Sequence, residues 1–259
     1  MSAEVRFGFG QNWSKYLSVL TENRVREAES SIVEMLGGIP VEGLSVLDIG
    51  SGSGLFSLAV RNMGAAVTSF DYDQNSVACT ERVRETYRQG DKDWHISQGS
   101  VLDQKFMSSL GKFDLVYSWG VLHHTGQMWM ALDNAIDCVG EKGRLLIALY
   151  NDQGWISHYW TVVKRIYNAG MPGRLAMILL HAPYLLGARY ISRLFSGRKL
   201  ERGMSLWYDM LDWLGGYPFE VAKPVEVIAH VQSKGYTLVK SRLCGTRHGC
   251  NEFLFQKTA

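Results

Sequence analysis

Gly50, Gly52 and Gly54 alternate with serines directly behind the apolar run Ser45-Val46-Leu47-Asp48-Ile49, and Asp48 stands two residues before the first glycine. At such a turn bare backbone approaches a ligand that side chains would obstruct. Leu55, Leu58, Ala59 and Met63 then recur at helical spacing, so a strand, a tight loop and a helix are expected in succession. A nucleotide-like cofactor is implied, with Asp48, Gly50, Ser51, Gly52 and Gly54 as its candidate contacts. Dinucleotide dehydrogenases place G-x-G-x-x-G at the same turn, whereas here the third glycine is Gly54 and position 55 is leucine. A second acid, Asp71, closes the next strand-like run. His123 and His124 follow a later one, and histidine titrates near neutral pH, as a general base requires.

These residues need a scaffold, and the chain supplies a rhythm for one. From Ser45 to Leu149 short β-branched or apolar runs alternate with amphipathic stretches, the pattern of a parallel sheet flanked by helices. Strands are predicted at Ser45–Ile49, Ala66–Phe70, Trp94–Ser97, Asp114–Ser118 and Arg144–Leu149, with helices at Glu22–Leu36 and Ser76–Gln89. Between Asn151 and Ala222 the alternation stops, and Trp, Tyr, Leu and Arg predominate, so several helices are expected there. A helix near Pro224–Lys234 and two terminal strands, Tyr236–Leu243 and Glu252–Gln256, joined by Cys244–Gly249 as an antiparallel hairpin, complete the reading. The organisation predicted is an N-terminal helical cap over residues 1–40, a core over 41–150, a helical insertion over 151–222 and a closing helix and hairpin over 223–259.

Val46–Gly54, VLDIGSGSG, resembles motif I of class I S-adenosylmethionine-dependent methyltransferases. Further motifs follow in order. Asp71, in SFDYD, is similar to the acid that accepts hydrogen bonds from both ribose hydroxyls, with Tyr72 beside it to pack on adenine. Gly99–Asp103 resembles the element that reads the adenine edge through Ser100 and Val101, although the family often has aspartate where Ser100 stands. FDLVYSWGVLHH, residues 113–124, resembles the fourth-strand motif bordering the methionine moiety, which assigns Ser118 and Trp119 to the cofactor. The resemblance covers about residues 40–150 and resumes in the last hairpin, and is strongest to ubiquinone-biosynthesis-type and natural-product methyltransferases. It implies an α/β, Rossmann-like sheet of seven strands in the order 3-2-1-4-5-7-6, S-adenosylmethionine as cofactor with S-adenosylhomocysteine as product, and a small-molecule acceptor. Ubiquinone-type relatives can carry a Glu-His pair and an upstream acid for divalent metal. Here Trp119 and His123 occupy places that would want carboxylates, so no metal is expected.

Methyl transfer from a sulfonium is an in-line displacement that depends on holding acceptor and methyl aligned in a dry site. For a hydroxyl acceptor a base is useful, and His124, then His123, are the candidates, because they follow the fourth strand at the carboxyl edge of the sheet. A rate that rises through the ordinary imidazole pKa is expected. The competing reading is that the pair braces the loop. The hairpin turn should reach the same edge, which makes His248 a third candidate base and Arg247 a candidate partner for a carboxylate or phosphate on the acceptor. Tyr150 and Asn151, after the fifth strand, and Trp13 and Tyr16, in the aromatic N-terminal segment, are candidate acceptor contacts. The apolar stretch Leu175–Phe195 is too short and too interrupted to span a bilayer. Pocket lid, oligomer contact and membrane-surface contact remain as its alternatives.

At 259 residues, with 46% apolar and 20% charged residues, the chain can bury a full α/β core. A formal charge of +2 offers no broad field for an extended phosphate backbone, so nucleic acid is not expected as a partner. Cys79, Cys138, Cys244 and Cys250 are scattered, and Cys244, His248 and Cys250 do not match a closed zinc site. A reducing cytoplasm is the expected compartment, and homodimerisation stays open. The leading reading is O-methylation of a small molecule. Methylation of a protein or RNA and cofactor binding without turnover are the alternatives.

Overall fold

The computed structural model describes residues 20–196, 206–245 and 249–258. Helix α1 (Glu22–Met35) leads into β1 (Ser45–Ile49), α2 (Leu55–Asn62), β2 (Ala66–Asp71), α3 (Gln74–Tyr87), β3 (Trp94–Gln98), α4 (Gln104–Leu110) and β4 (Phe113–Trp119). A 3₁₀ turn (Leu122–His124), α5 (Met128–Asp137) and β5 (Val139–Tyr150) follow. The insertion then forms α6 (Trp155–Asn168), α7 (Met171–Ser196) and α8 (Leu206–Gly215), before α9 (Pro224–Ser233), β6 (Tyr236–Arg242) and β7 (Cys250–Lys257). The seven strands form one sheet in the order β3-β2-β1-β4-β5-β7-β6, as the resemblance implied. β1 to β5 pair in parallel, and β7 pairs antiparallel with both β5 and β6.

Strand side chains alternate between the two faces of the sheet, and the two cores record that period. Leu47, Ile49, Val116, Leu145, Ile147, Phe253 and Phe255 face the layer that includes α5 and α9. Val46, Leu115, Tyr117, Leu146 and Leu254 face α1 and α2. Both faces are covered, which is why the central strands read as continuous apolar runs rather than as alternation. Burial of each such Val, Leu or Ile contributes about 1.5–3 kcal/mol. Asp48 lies in phase with Val46 and is therefore carried to the α1 and α2 side.

Three differences from the sequence reading have local causes. β5 begins at Val139, not Arg144, because Gly140 and Gly143 let its first residues run tightly against the Phe113 carbonyl; a Cβ on Gly143 would lie 2.9 Å from that oxygen. Lys142 takes φ 57° there, and the ladder shifts register between Phe113 and Leu115. Helices α4 and α5 did not stand out as separate elements. Asp103 caps α4 by accepting from the N–H groups of Lys105 and Phe106, and α5 is recognisable by its buried Met128, Ala131, Leu132 and Ala135.

The insertion has its own apolar centre, in which Trp160, Val163, Tyr167, Leu185, Met210, Leu214 and Phe219 are buried. A strap from Pro218 to Ala222 ties it to the sheet. Glu220 N–H donates to the His123 carbonyl, Ala222 N–H to the Tyr150 carbonyl and Asp152 N–H to the Ala222 carbonyl. The Glu220 carboxylate also accepts from Met128 N–H at 3.0 Å, which places negative charge at the start of α5.

Candidate cofactor and acceptor site

The glycine loop is held from three sides. Gly50 and Ser51 donate their N–H groups to the Phe70 carbonyl at 2.8 and 3.1 Å, and the Ser51 and Thr80 hydroxyls share a hydrogen bond of 2.9 Å. Gly50 takes φ 78° and Gly54 φ 77°. A Cβ on Gly50 would fall 2.5 Å from both Val121 methyls, and one on Gly54 would fall 2.9 Å from the Thr80 backbone. Left-handed backbone and close packing thus coincide, and only glycine meets both.

Asp71 sits at the end of β2 with one carboxylate oxygen accepting from Gly52 N–H at 3.0 Å and the other from Asp73 N–H at 2.9 Å. Burial pushes its pKa up to about 6, against the lowering effect of backbone N–H bonds from Asp73, Gly52 and Tyr72. With three backbone N–H groups on it, the carboxylate keeps acceptor capacity, so the group that shapes the loop can take a ribose hydroxyl as well. Tyr72 beside it is exposed. This cradle of bare backbone, a half-buried carboxylate and an exposed aromatic ring fits a ribose-bearing cofactor.

Asp48 is placed differently. Its carboxylate accepts from the Ser57 hydroxyl at 2.5 Å, Ser57 shares a hydrogen bond of 2.7 Å with Ser69, and Trp94 Nε1–H donates to Ser69 at 2.9 Å. A cavity of about 10 Å³, enough for roughly one water, adjoins it between Ile32, Phe56 and Tyr117. Burial, followed by the field of Asp71, lifts the Asp48 pKa to about 7 despite the Ser57 bond. Asp48 thus supports the loop from within the layer below it.

Other residues assigned to the cofactor divide between wall and brace. The Ser100 hydroxyl accepts from Leu102 N–H at 3.2 Å, while Val101 is buried with its carbonyl accepting from Asn134. The Ser118 hydroxyl donates to the Ile49 carbonyl at 3.1 Å, tying β4 to β1. Trp119 donates to Glu252 at 3.2 Å and stacks near Phe56 at 6.5 Å, on the α2 side.

Beyond β4 the histidines meet the insertion. The His123 ring is buried 3.9 Å from the Tyr150 ring, and its Nδ1 accepts from Tyr150 N–H at 3.3 Å. The His124 ring lies 4.5 Å from His123 and 5.4 Å from Tyr150. His124 Nδ1–H donates to the Pro218 carbonyl at 2.6 Å, so Nε2 is the lone-pair nitrogen. Burial lowers the His124 pKa to about 3; the Pro218 bond works against that, and the Lys164 charge adds to it. The expected rate inflection near the ordinary imidazole pKa is therefore corrected, since His124 is neutral throughout the physiological range.

Lys164, on α6, went unnoticed in the sequence. It is buried with its ammonium bonded to the Trp213 carbonyl and 4.5 and 4.8 Å above the Trp213 and Phe219 rings. Desolvation drops its pKa to about 7. Asn151 joins Tyr150 in the chain but not in contact, because its side-chain amide donates to the Gly245 carbonyl and accepts from Asn251 at the mouth of the hairpin. Trp13, Tyr16, Arg247 and His248 lie outside the described residues. Among the described residues no group of three or more His, Cys, Asp or Glu side chains is placed to hold a metal ion.

A family model described as a methyltransferase domain matches residues 20–205. The chain belongs to the class I S-adenosylmethionine-dependent methyltransferase family. Among similar curated proteins, a ubiquinone biosynthesis O-methyltransferase of Rhizobium leguminosarum is 28% identical over 112 residues, 43% of this chain and 42% of that one. One from Paramagnetospirillum magneticum is 34% identical over 96 residues, 37% and 36% of the two chains. The methyltransferase thus aligns with less than half the length of these relatives. The fold is that of magnesium protoporphyrin IX methyltransferase from Synechocystis, solved with bound S-adenosylhomocysteine, at TM-score 0.56 and 14% identity over 90% of this chain and 83% of that one. An N-methyltransferase of Bradyrhizobium japonicum matches at TM-score 0.54 and 15% identity, over 92% and 98% of the two chains. Among the described residues no helix of the methyltransferase is long and apolar enough to cross a membrane.

Proposed function

We propose that this methyltransferase alkylates a hydroxyl oxygen of a small-molecule acceptor seated between the carboxyl edge of the sheet and the helical insertion. The observation that carries the reading is the tautomer of His124. With Nδ1–H donated to Pro218 at 2.6 Å, the remaining nitrogen is a proton acceptor at the end of β4. When bound, S-adenosylmethionine supplies an electrophilic methyl on a sulfonium. Gly50, Gly52 and Asp71 would hold it.

The protein's share of the chemistry is alignment and the proton. An imidazole whose pKa is about 3 would not ionise a hydroxyl in advance. As the acceptor oxygen forms its bond to the methyl carbon, however, its proton becomes that of a protonated ether, a far stronger acid than imidazolium. Nε2 of His124 then takes it late in the displacement. His123 and Tyr150 pack against the ring, with Phe219 beyond Tyr150, and these largely apolar surroundings favour a displacement that disperses the sulfonium charge and releases a neutral thioether. Tyr150 is a proposed acceptor contact through its ring, and Arg247, His248, Trp13 and Tyr16 remain proposals from sequence. Mass spectrometry of reactions with a panel of hydroxylated and amine acceptors tests the reading. O-methyl products support it, and exclusive N- or C-methylation sinks it.

A further inference from the structure

Helix α7 presents an apolar side that the insertion does not cover. Met177, Ile178, His181, Ala182 and Leu185 pack inward, on or beside the centre formed with α6 and α8. On the other side Leu175, Ala176, Leu179, Leu180, Pro183 and Tyr184 are all exposed, at a spacing that puts them on one strip of the helix. Leu179 is 76% exposed, Leu180 65%, Tyr184 61% and Leu175 54%. Helix α6 adds Trp155, 78% exposed at its first turn. Four large side chains along a single strip exceed the scattered apolar residues normal on a protein surface.

Charge selects the occupant. Between Asp152 and Glu201 the chain has no acidic residue, whereas Arg165, Arg174, Arg189, Arg193, Arg198 and Lys199 are basic in addition to the buried Lys164. The whole chain carries a formal charge of only +2, so positive charge is concentrated in the segment 153–200 of the insertion, which includes α7. A second copy docked by two-fold symmetry would bring two such cationic segments together and repel itself. An anionic lipid surface is complementary on both counts, taking the apolar strip into its acyl boundary and pairing headgroups with arginines. Arg174, His181 and Pro183 interrupt the stretch, in keeping with a helix that lies along a bilayer rather than through it.

We propose that the α7 strip docks this protein on an anionic bilayer surface. The reading is independent of the acceptor and of His124. Co-sedimentation of the full chain with phosphatidylcholine vesicles, with and without phosphatidylglycerol, tests it. Binding at least about tenfold stronger to the anionic vesicles, and weakened several-fold at high salt, is expected from screening. Leu179→Glu/Leu180→Glu, at exposed positions, should lose about tenfold or more of that binding while retaining S-adenosylmethionine affinity. Arg189→Glu/Arg193→Glu should erase the preference for anionic lipid. Equal binding of wild type to neutral and anionic vesicles, or wild-type binding by the leucine variant, overturns the proposal. So does a dimer in sedimentation that the leucine variant dissolves, with no vesicle binding by either protein.

Discussion

His124 Nδ1–H donates to the carbonyl of Pro218, 94 residues later in the chain, across 2.6 Å. That bond joins the loop after β4 to the strap that returns from the insertion, and it fixes which imidazole nitrogen accepts a proton. The proposed chemistry and the docking of the insertion thus share one contact.

His124→Gln and His124→Ala should keep S-adenosylmethionine affinity and lose about 100-fold in turnover, the range for removal of a proton acceptor. Because burial holds the wild-type pKa near 3, the histidine does not titrate between pH 5 and 8. Wild type and His124→Gln should therefore give pH–rate profiles of the same shape in that window, separated by a constant factor. A wild-type limb near the ordinary imidazole pKa that vanishes in the variant would refute the buried, neutral state.

Asp71→Ala removes the acceptor for Gly52 N–H together with the proposed ribose contacts. Calorimetry should show cofactor binding weaker by roughly 2–4 kcal/mol, with the fold retained. Unchanged affinity would assign the ribose to another acid.

Asp48 provides a pH test of stability. Its folded pKa of about 7 exceeds the unfolded 3.8, so the folded state holds the proton more tightly, and stability falls as pH rises from about 4 to about 7. Asp48→Asn keeps an acceptor for Ser57 and removes the charge. Urea unfolding should find the variant more stable by about 2–4 kcal/mol at pH 8 and nearly equal to wild type at pH 4. A variant less stable at pH 8 would contradict the buried, strained carboxylate.

Gly54→Ala and Gly38→Ala form a matched pair. Both glycines have φ near 80°, but a Cβ on Gly54 meets Thr80 backbone at 2.9 Å, whereas Gly38 has nothing within 4 Å. Gly38→Ala should cost about 1–2 kcal/mol, and Gly54→Ala clearly more, with loss of cofactor binding. Equal costs would show that the loop yields to the added methyl.

The strand, glycine loop and helix proposed to hold the cofactor were legible because they are local. Asp48, Gly50, Gly52 and Gly54 lie within seven residues, and the strand, turn and helix that hold them follow from neighbouring residues alone. Asp48 reads in sequence as a candidate cofactor contact, whereas the strand period carries it to the α1 and α2 side, where it bonds Ser57 beneath the loop. The acceptor half was not legible in this way. Lys164, Pro218 and Glu220 reach the histidines or α5 only after the insertion has folded back, and none stands in a pattern that marks it. A buried lysine among tryptophans reads in sequence as one more cation on a helix.

The most direct measurement follows isotope-labelled methyl from S-adenosylmethionine into cell extract separated into small-molecule, protein and RNA fractions, with the labelled product then resolved by NMR. The account predicts label in the small-molecule fraction, carried as an oxygen-bound methyl and lost with His124→Gln. Label confined to protein or RNA, or a methyl bound to nitrogen or carbon, would contradict it.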